Sequence, residues 1–221
     1  MEAVLKVGGS LAEYPKSLKK LCKKLASFAK DHKILIVPGG GRFADVVRNF
    51  DKTYGLSKTV AHKMALLAMD QFGLFLSDIT PNSFVSHSFE KVEDPPSGTL
   101  PIFLPSRFIF RKDPLESSWN VTSDSITAYI AGMFHAKKLI LVTDVDGIFT
   151  ENPKESLDAK LMAEVSAKQL LGWNRRTSVD KTLPKILLKT KLDCYVISGR
   201  HPGRIKAVLE NQKSVYTHIT V

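Results

Sequence analysis

Residues 139–150 read LILVTDVDGIFT, an apolar run from Leu139 to Val142 that stops at Thr143, Asp144 and Asp146 before Gly147 turns the chain toward Ile148 and Phe149. Consecutive β-favouring apolar residues without polar alternation mark a strand buried on both faces, the habit of parallel sheets. Its polar residues fall at the carboxyl end, the edge at which open α/β sheets bind ligands. Alone, the stretch also reads as a strand followed by an acidic turn. The flanking sequence tips the balance.

Upstream, Ala3–Val7 (AVLKV) reads as a second buried strand running straight into Gly8, Gly9 and Ser10, and Ile34–Val37 as a third, ending in Pro38, Gly39, Gly40, Gly41 and Arg42. Glycines let backbone amides approach an anion closely, and a following helix adds the positive end of its dipole. In a parallel sheet both turns fall on one edge. Lys6 interrupts the first strand; a buried lysine either snorkels to water or meets an anion. No Walker loop is present.

Pro15–His32 carries Leu18, Leu21, Cys22, Leu25 and Phe28 at helical spacing, and Phe43–Phe50 is predicted as a short helix. Leu56–Phe72 is predicted as a long amphipathic helix with Val60, Met64, Leu67 and Ala68 on one side and His62 at the surface or in a cap. Gly73–Ser77 reads as a strand, Pro81–Gly98 as a non-periodic segment over a sheet edge, and Pro101–Pro105 as a strand. Arg107–Asn120 reads as an irregular loop or hairpin, of the kind that carries specificity. Asp124 precedes a helix over Ser125–His135 and fits an N-cap or a functional carboxylate. Downstream come a turn at Glu151–Lys154, a helix over Ser166–Leu171, a polar loop over Arg175–Pro184 and a helix around Lys185–Leu192. Strands at Cys194–Ser198 and Val215–Thr220 flank a helix over Arg204–Glu210. Strands alternating with helices predict an α/β fold, a three-layer αβα sandwich around a mainly parallel sheet. The 221 residues fit one domain of two lobes, about 1–136 and 137–221.

The chain carries a net charge of +10, which raises nucleic acid as a partner. Seven lysines (16, 19, 20, 23, 24, 30 and 33) lie in or beside one amphipathic helix, as a solvated face with no interleaved aromatics. That pattern favours attraction of small polyanions such as ATP over nucleic acid. No apolar run approaches the ~18 residues of a membrane span and no signal-peptide pattern precedes residue 3, so a cytoplasmic protein is expected. Cys22 and Cys194 suit buried thiols, and no metal-ligand spacing is present.

The ordered set KVGGS (6–10), GGG (39–41), SD (123–124), TDVDG (143–147) and LPK (183–185) resembles the amino acid kinase family. That resemblance implies the amino acid kinase fold and ATP-dependent phosphoryl transfer. It implies that Lys6 and Lys185 neutralise the phosphoryl group in flight, with Asp124 holding both lysines. Gly8, Gly9 and Ser10 would bind the ATP phosphates, and Gly39, Gly40 and Gly41 the acceptor side. Thr143, Asp144, Phe149, Asn152 and Pro153, with Asp146 and Gly147 of the same turn, would surround ribose and adenine. Magnesium would ride on phosphate oxygens and water, without a protein ligand set. A homo-oligomer is a further family expectation.

Within the family, GLSKTVAHKMALLAMDQFG (55–73), DPLESSWNVTSDSITA (113–128) and SVDKTLPKILL (178–188) are similar to the branch that phosphorylates 5-(aminomethyl)furan-3-ylmethyl phosphate to its diphosphate in methanofuran biosynthesis. The acceptor phosphate would meet Gly40, Gly41 and Arg42; the furan ring would pack on Trp119, otherwise a core aromatic under a loop. The ammonium would pair with Asp45, Asp113 or Asp180, the last of which also fits a helix N-cap. The competing readings are a kinase for UMP, isopentenyl phosphate or an acyl acceptor, and a non-catalytic ATP-binding subunit.

Overall fold

The computed structural model describes residues 1–153, 155–173 and 177–221. At its centre β1 (Ala3–Val7) lies between β2 (Ile34–Pro38) and β5 (Lys138–Thr143), parallel to both, with Val7 level with Pro38 on one side and Val142 on the other. β4 (Leu100–Phe103) and the edge strand β3 (Ser83–Ser86) extend the sheet beyond β2, and β7 (Cys194–Ser198) extends it beyond β5. β8 (Thr217–Thr220) runs antiparallel to β7, and β6 (Glu164–Ser166) pairs with β8 to complete the order β3-β4-β2-β1-β5-β7-β8-β6. Chain direction across the sheet reverses at β1, which opens a crevice at its carboxyl end.

Strand periodicity divides the core in two. Ala3, Leu5, Val7, Ile34, Ile36, Ile140 and Val142 face α1 (Pro15–Phe28) and α9 (Gly203–Leu209). Val4, Leu35, Val37, Leu139 and Leu141 face α6 (Ser123–Met133), α7 (Ala167–Gly172) and α8 (Leu183–Thr190). Because side chains alternate along a strand, Lys6 shares the face of Val4 and points under α6. The expected three-layer α/β sandwich with a mainly parallel sheet is the observed one.

Several boundaries differ from the sequence expectation. α2 runs over Gly41–Tyr54, longer than Phe43–Phe50, and α1 stops at Phe28, short of His32. α3 spans Lys58–Asp78 without a break, so Gly73–Ser77 is helix, not strand. Gly73 punctuates nothing: a β-carbon there would lie 2.5 Å from Leu104 Cδ2, so glycine lets α3 close on β4. The inward face of α3 is also rotated from the expected one. Of the expected stripe Val60 and Leu67 are exposed while Ala68 and Met64 pack against α2, and Ala61, His62, Leu66 and Met69 are buried as well. Pro81–Gly98 supplies β3 and a short α4 (Phe89–Glu93), and the 107–120 segment begins as α5 (Ser106–Lys112). β6 had no sequence counterpart. Lys154 of the expected turn, and Arg175 and Arg176 of the polar loop, lie outside the described residues. Among the described residues no helix is long and apolar enough to cross a membrane.

Candidate active site

The two glycine turns interlock at the carboxyl edge of the sheet. Gly8 N–H donates to Val142 O at 2.8 Å and Gly39 N–H to Val7 O at 2.9 Å, so each turn is pinned to the neighbouring strand. A β-carbon on Gly9 would lie 2.0 Å from Gly41 Cα, and Gly41 has φ +54°. Backbone therefore touches backbone where the turns cross, and only glycine fits at either point. Gly9–Glu13 continues as a 3₁₀ turn, and the Ser10 hydroxyl donates to Asp144 Oδ1 at 3.0 Å, joining the first turn to the end of β5.

Beneath these turns Lys6 Nζ lies 2.8 Å from Asp124 Oδ1, with both side chains about nine-tenths buried. The contact is not aligned as a hydrogen bond, so charge rather than directionality holds the pair. Asp124 occupies the first turn of α6, whose N-cap is Thr122; its backbone N–H donates to Thr122 Oγ1 at 3.4 Å. Asp124 is thus a helix-start carboxylate turned inward rather than the cap, and the helix dipole favours its charge.

Asp180 is fully engaged by protein donors. Its Oδ2 accepts from Thr122 N–H (2.9 Å), the Thr122 hydroxyl (2.9 Å) and Ser125 N–H (3.0 Å). Its Oδ1 accepts from the Ser125 hydroxyl (2.5 Å), Thr182 N–H (3.0 Å) and Leu183 N–H (2.8 Å). Its own N–H donates to Asp124 Oδ2 at 3.2 Å. One carboxylate therefore caps α6 and α8 together and touches the lysine's partner, which corrects the expectation that it is free to pair with a substrate ammonium. Burial and neighbouring Asp124 push its carboxyl up, against the pull of these donors. Lys185 stands in the first turn of α8, exposed on the same cleft, and among the described residues it makes no ion pair with Asp124.

The cleft has a volume of about 1360 Å³. It collects Lys6, Gly8, Gly9, Ser10, Asp124, Asp180 and Lys185 with the acceptor-side candidates Gly40, Gly41, Arg42, Asp45 and Trp119. Arg42 is held in a two-point pair with Glu13, both contacts at 2.6 Å, and Asp45 pairs with Arg48 at 2.6 Å. Trp119 is exposed on the rim rather than buried under a loop. Its indole N–H donates to Asp51 at 2.7 Å, and the Arg48 guanidinium lies 4.9 Å from its ring centre. Gly39 and Asp113 are not in the lining; Asp113 ends α5 in the left-handed region at φ 42°.

None of residues 143–153 lies in the cleft lining, though Ser10 and Ser178 of the cleft bond to Asp144 and to the Gly147 carbonyl. Asp146 pairs with Arg204 at 2.5 Å, and Gly147 packs where a β-carbon would lie 2.4 Å from Thr217 Oγ1. Phe149 bridges to Leu161, Thr143 O accepts from Gly199 N–H at 2.8 Å, and the Asn152 carbonyl accepts from Glu155 and Ser156 N–H, both at 3.0 Å, beside exposed Pro153. Sequence reading missed His62, Leu66 and Met69 of α3 as cleft residues, because the inward face of that helix was placed wrongly. Glu13 and Arg48 carried no signal beyond being charged. Among the described residues no three His, Cys, Asp or Glu side chains are grouped to hold a metal.

Glycine turns, a buried lysine–carboxylate pair and a cleft at one sheet edge define a phosphate-handling α/β protein, and the chain belongs to the amino acid kinase family, whose sequence profile matches residues 1–88 and 85–208. It is 37% identical over 218 residues to the (5-(aminomethyl)furan-3-yl)methyl phosphate kinase of Methanocaldococcus jannaschii, covering 98% of this chain and 96% of that one. The uridylate kinase of Pyrococcus abyssi is 25% identical, with 96% of each chain covered. In structure the chain resembles the uridylate kinase of Archaeoglobus fulgidus, with a TM-score of 0.77, 22% identity and both chains fully covered.

Proposed function

We propose that this chain is an ATP-dependent kinase that phosphorylates 5-(aminomethyl)furan-3-ylmethyl phosphate to its diphosphate, a step of methanofuran biosynthesis, in the cytoplasm. The observation that carries this reading is the near-full-length 37% identity to the M. jannaschii kinase, well above the 25% to a uridylate kinase. A uridylate acceptor, favoured by those second relatives, is the competing reading.

ATP fits the residues present. Gly8 and Gly9 form a tight turn that a β-carbon on either would spoil, the Gly8 amide being spent on Val142 O, and a buried lysine lies directly below. ATP with magnesium supplies the transferable phosphoryl group, the metal riding on phosphate oxygens and water. The protein's share is alignment and fixed charge. Lys6, held by Asp124, and Lys185 neutralise equatorial oxygens; Gly40 and Gly41 receive the acceptor phosphate, joined by Arg42 once it exchanges Glu13 for that phosphate; Thr143 to Pro153 hold ribose and adenine. Residues 1–136 thus carry the acceptor lobe and 137–221 the nucleotide lobe. Asp180 acts as a clasp that keeps Asp124 and the start of α8 in register.

We assign a homo-oligomer through α2 and α3. Phe43, Val46, Phe50 and Tyr54 on the first helix and Val60, Leu67 and Leu74 on the second leave large apolar side chains exposed at helical spacing.

The test is ADP release with Mg-ATP against the aminomethylfuran phosphate, UMP, AMP, isopentenyl phosphate, N-acetylglutamate and a blank. Turnover confined to the furan compound supports the assignment. Turnover with UMP instead keeps the kinase and discards the acceptor.

A further inference from the structure

One wall of the cleft comes from α3, which turns His62, Ala65, Leu66 and Met69 toward it at the spacing of a single helix face. Three of these are apolar, and His62 is not. Its residue is only 8% exposed, and its Nε2 is shielded from solvent with no hydrogen-bond partner in the protein. An unpartnered polar nitrogen at a buried helix position costs stability that leucine there would not, so fold alone gives no reason for it. Burial pushes the imidazole pKa down, and the Asp113 carboxylate pulls it up more weakly. The uncharged ring carries a lone pair on one nitrogen, available to a donor. The Asp113 carboxylate at the end of α5, outside the cleft lining, adds a negative field at His62 that favours a cation there over a second phosphate, which the glycine turns suit.

We propose that His62 is the acceptor-specificity residue of the cleft, its uncharged imidazole accepting a hydrogen bond from the primary ammonium of the acceptor beside the apolar wall of Ala65, Leu66 and Met69. This rests on the aminomethylfuran reading given above. It also reassigns the amine: of the carboxylates considered for it, Asp180 is saturated by protein donors and Asp45 is paired with Arg48.

The experiment compares wild type, His62→Leu and His62→Gln with Mg-ATP and two acceptors, the aminomethylfuran phosphate and an analogue bearing methyl in place of aminomethyl. His62→Leu is expected to raise KM for the aminomethyl acceptor by about tenfold or more, the scale of a lost hydrogen bond to a charged group. KM for the methyl analogue and for ATP should move less than about twofold. His62→Gln, which keeps an acceptor oxygen, should recover part of the loss. His62→Leu should melt no lower than wild type, an outcome opposite to that of a packing residue. An equal change with both acceptors, no change with either, or a lower melting temperature overturns the inference and leaves the kinase reading intact. Wild-type silence with the aminomethyl acceptor removes both.

Discussion

Lys6 occupies a position that strands of this kind fill with an aliphatic residue, and its ion pair with Asp124 makes the charge tolerable there. Desolvating both ions offsets much of their attraction, so the pair adds little to stability while fixing a cation below the first glycine turn. Asp124→Asn and Lys185→Ala should each slow turnover by roughly a hundredfold or more with ATP affinity retained, as for groups acting on the transition state. Single-turnover kinetics and ATP titration calorimetry separate the two effects, and wild-type rates in either variant would sink the role. Asp124→Ala should also destabilise the fold by about 3 kcal/mol in urea unfolding, because it strands a buried ammonium. His62 gives a pH dependence. Burial lowers its folded pKa, so the unfolded chain binds more protons below the ordinary value near 6.5. Stability is full above that pH and declines as pH falls through the depressed folded pKa. Urea titrations between about pH 7 and pH 5 should show this slope in wild type and its loss in His62→Leu, which at pH 7 should match or exceed wild type by about 1 kcal/mol.

At the scale of elements, the Asp180 clasp and the crossed glycine turns position the site. Asp180→Asn replaces one acceptor oxygen by a donor facing existing donors, so it should lower stability by about 2 kcal/mol and kcat about tenfold, with KM for ATP nearly unchanged. Loss of stability without the kcat effect would reduce Asp180 to a cap. Gly9→Ala pushes a methyl into the Gly41 backbone and should cost about 1–3 kcal/mol, read from the urea midpoint. The glycine turns and Lys6 were legible in sequence because each breaks an apolar strand pattern at a fixed place. Asp180 was legible only as a cap, since its partners Thr122 and Ser125 lie more than fifty residues upstream. α3 misled because Gly73 resembles a breaker and its outward stripe of Val60 and Leu67 resembles a core face. β6, three residues long, has too little periodicity to register.

Across the whole molecule, near-continuous apolar strands alternating with helices made the layered sheet readable, and the reversal of direction at β1 put the cleft where the glycine turns end. The antiparallel return of β8 had no local signature. The exposed apolar stripe on α2 and α3 predicts self-association: Phe50→Glu should shift the light-scattering mass toward that of a single chain, and an unchanged mass would move the interface elsewhere. The reaction proposed for this chain is phosphoryl transfer onto a phosphate. Phosphorus NMR of the aminomethylfuran phosphate incubated with Mg-ATP and the wild-type protein tests it most directly, with Asp124→Asn as the control. Paired diphosphate resonances from a new product are expected, growing with ADP in wild type and nearly absent in the variant. An unchanged monophosphate signal, or ATP hydrolysed to ADP and inorganic phosphate alone, would contradict it.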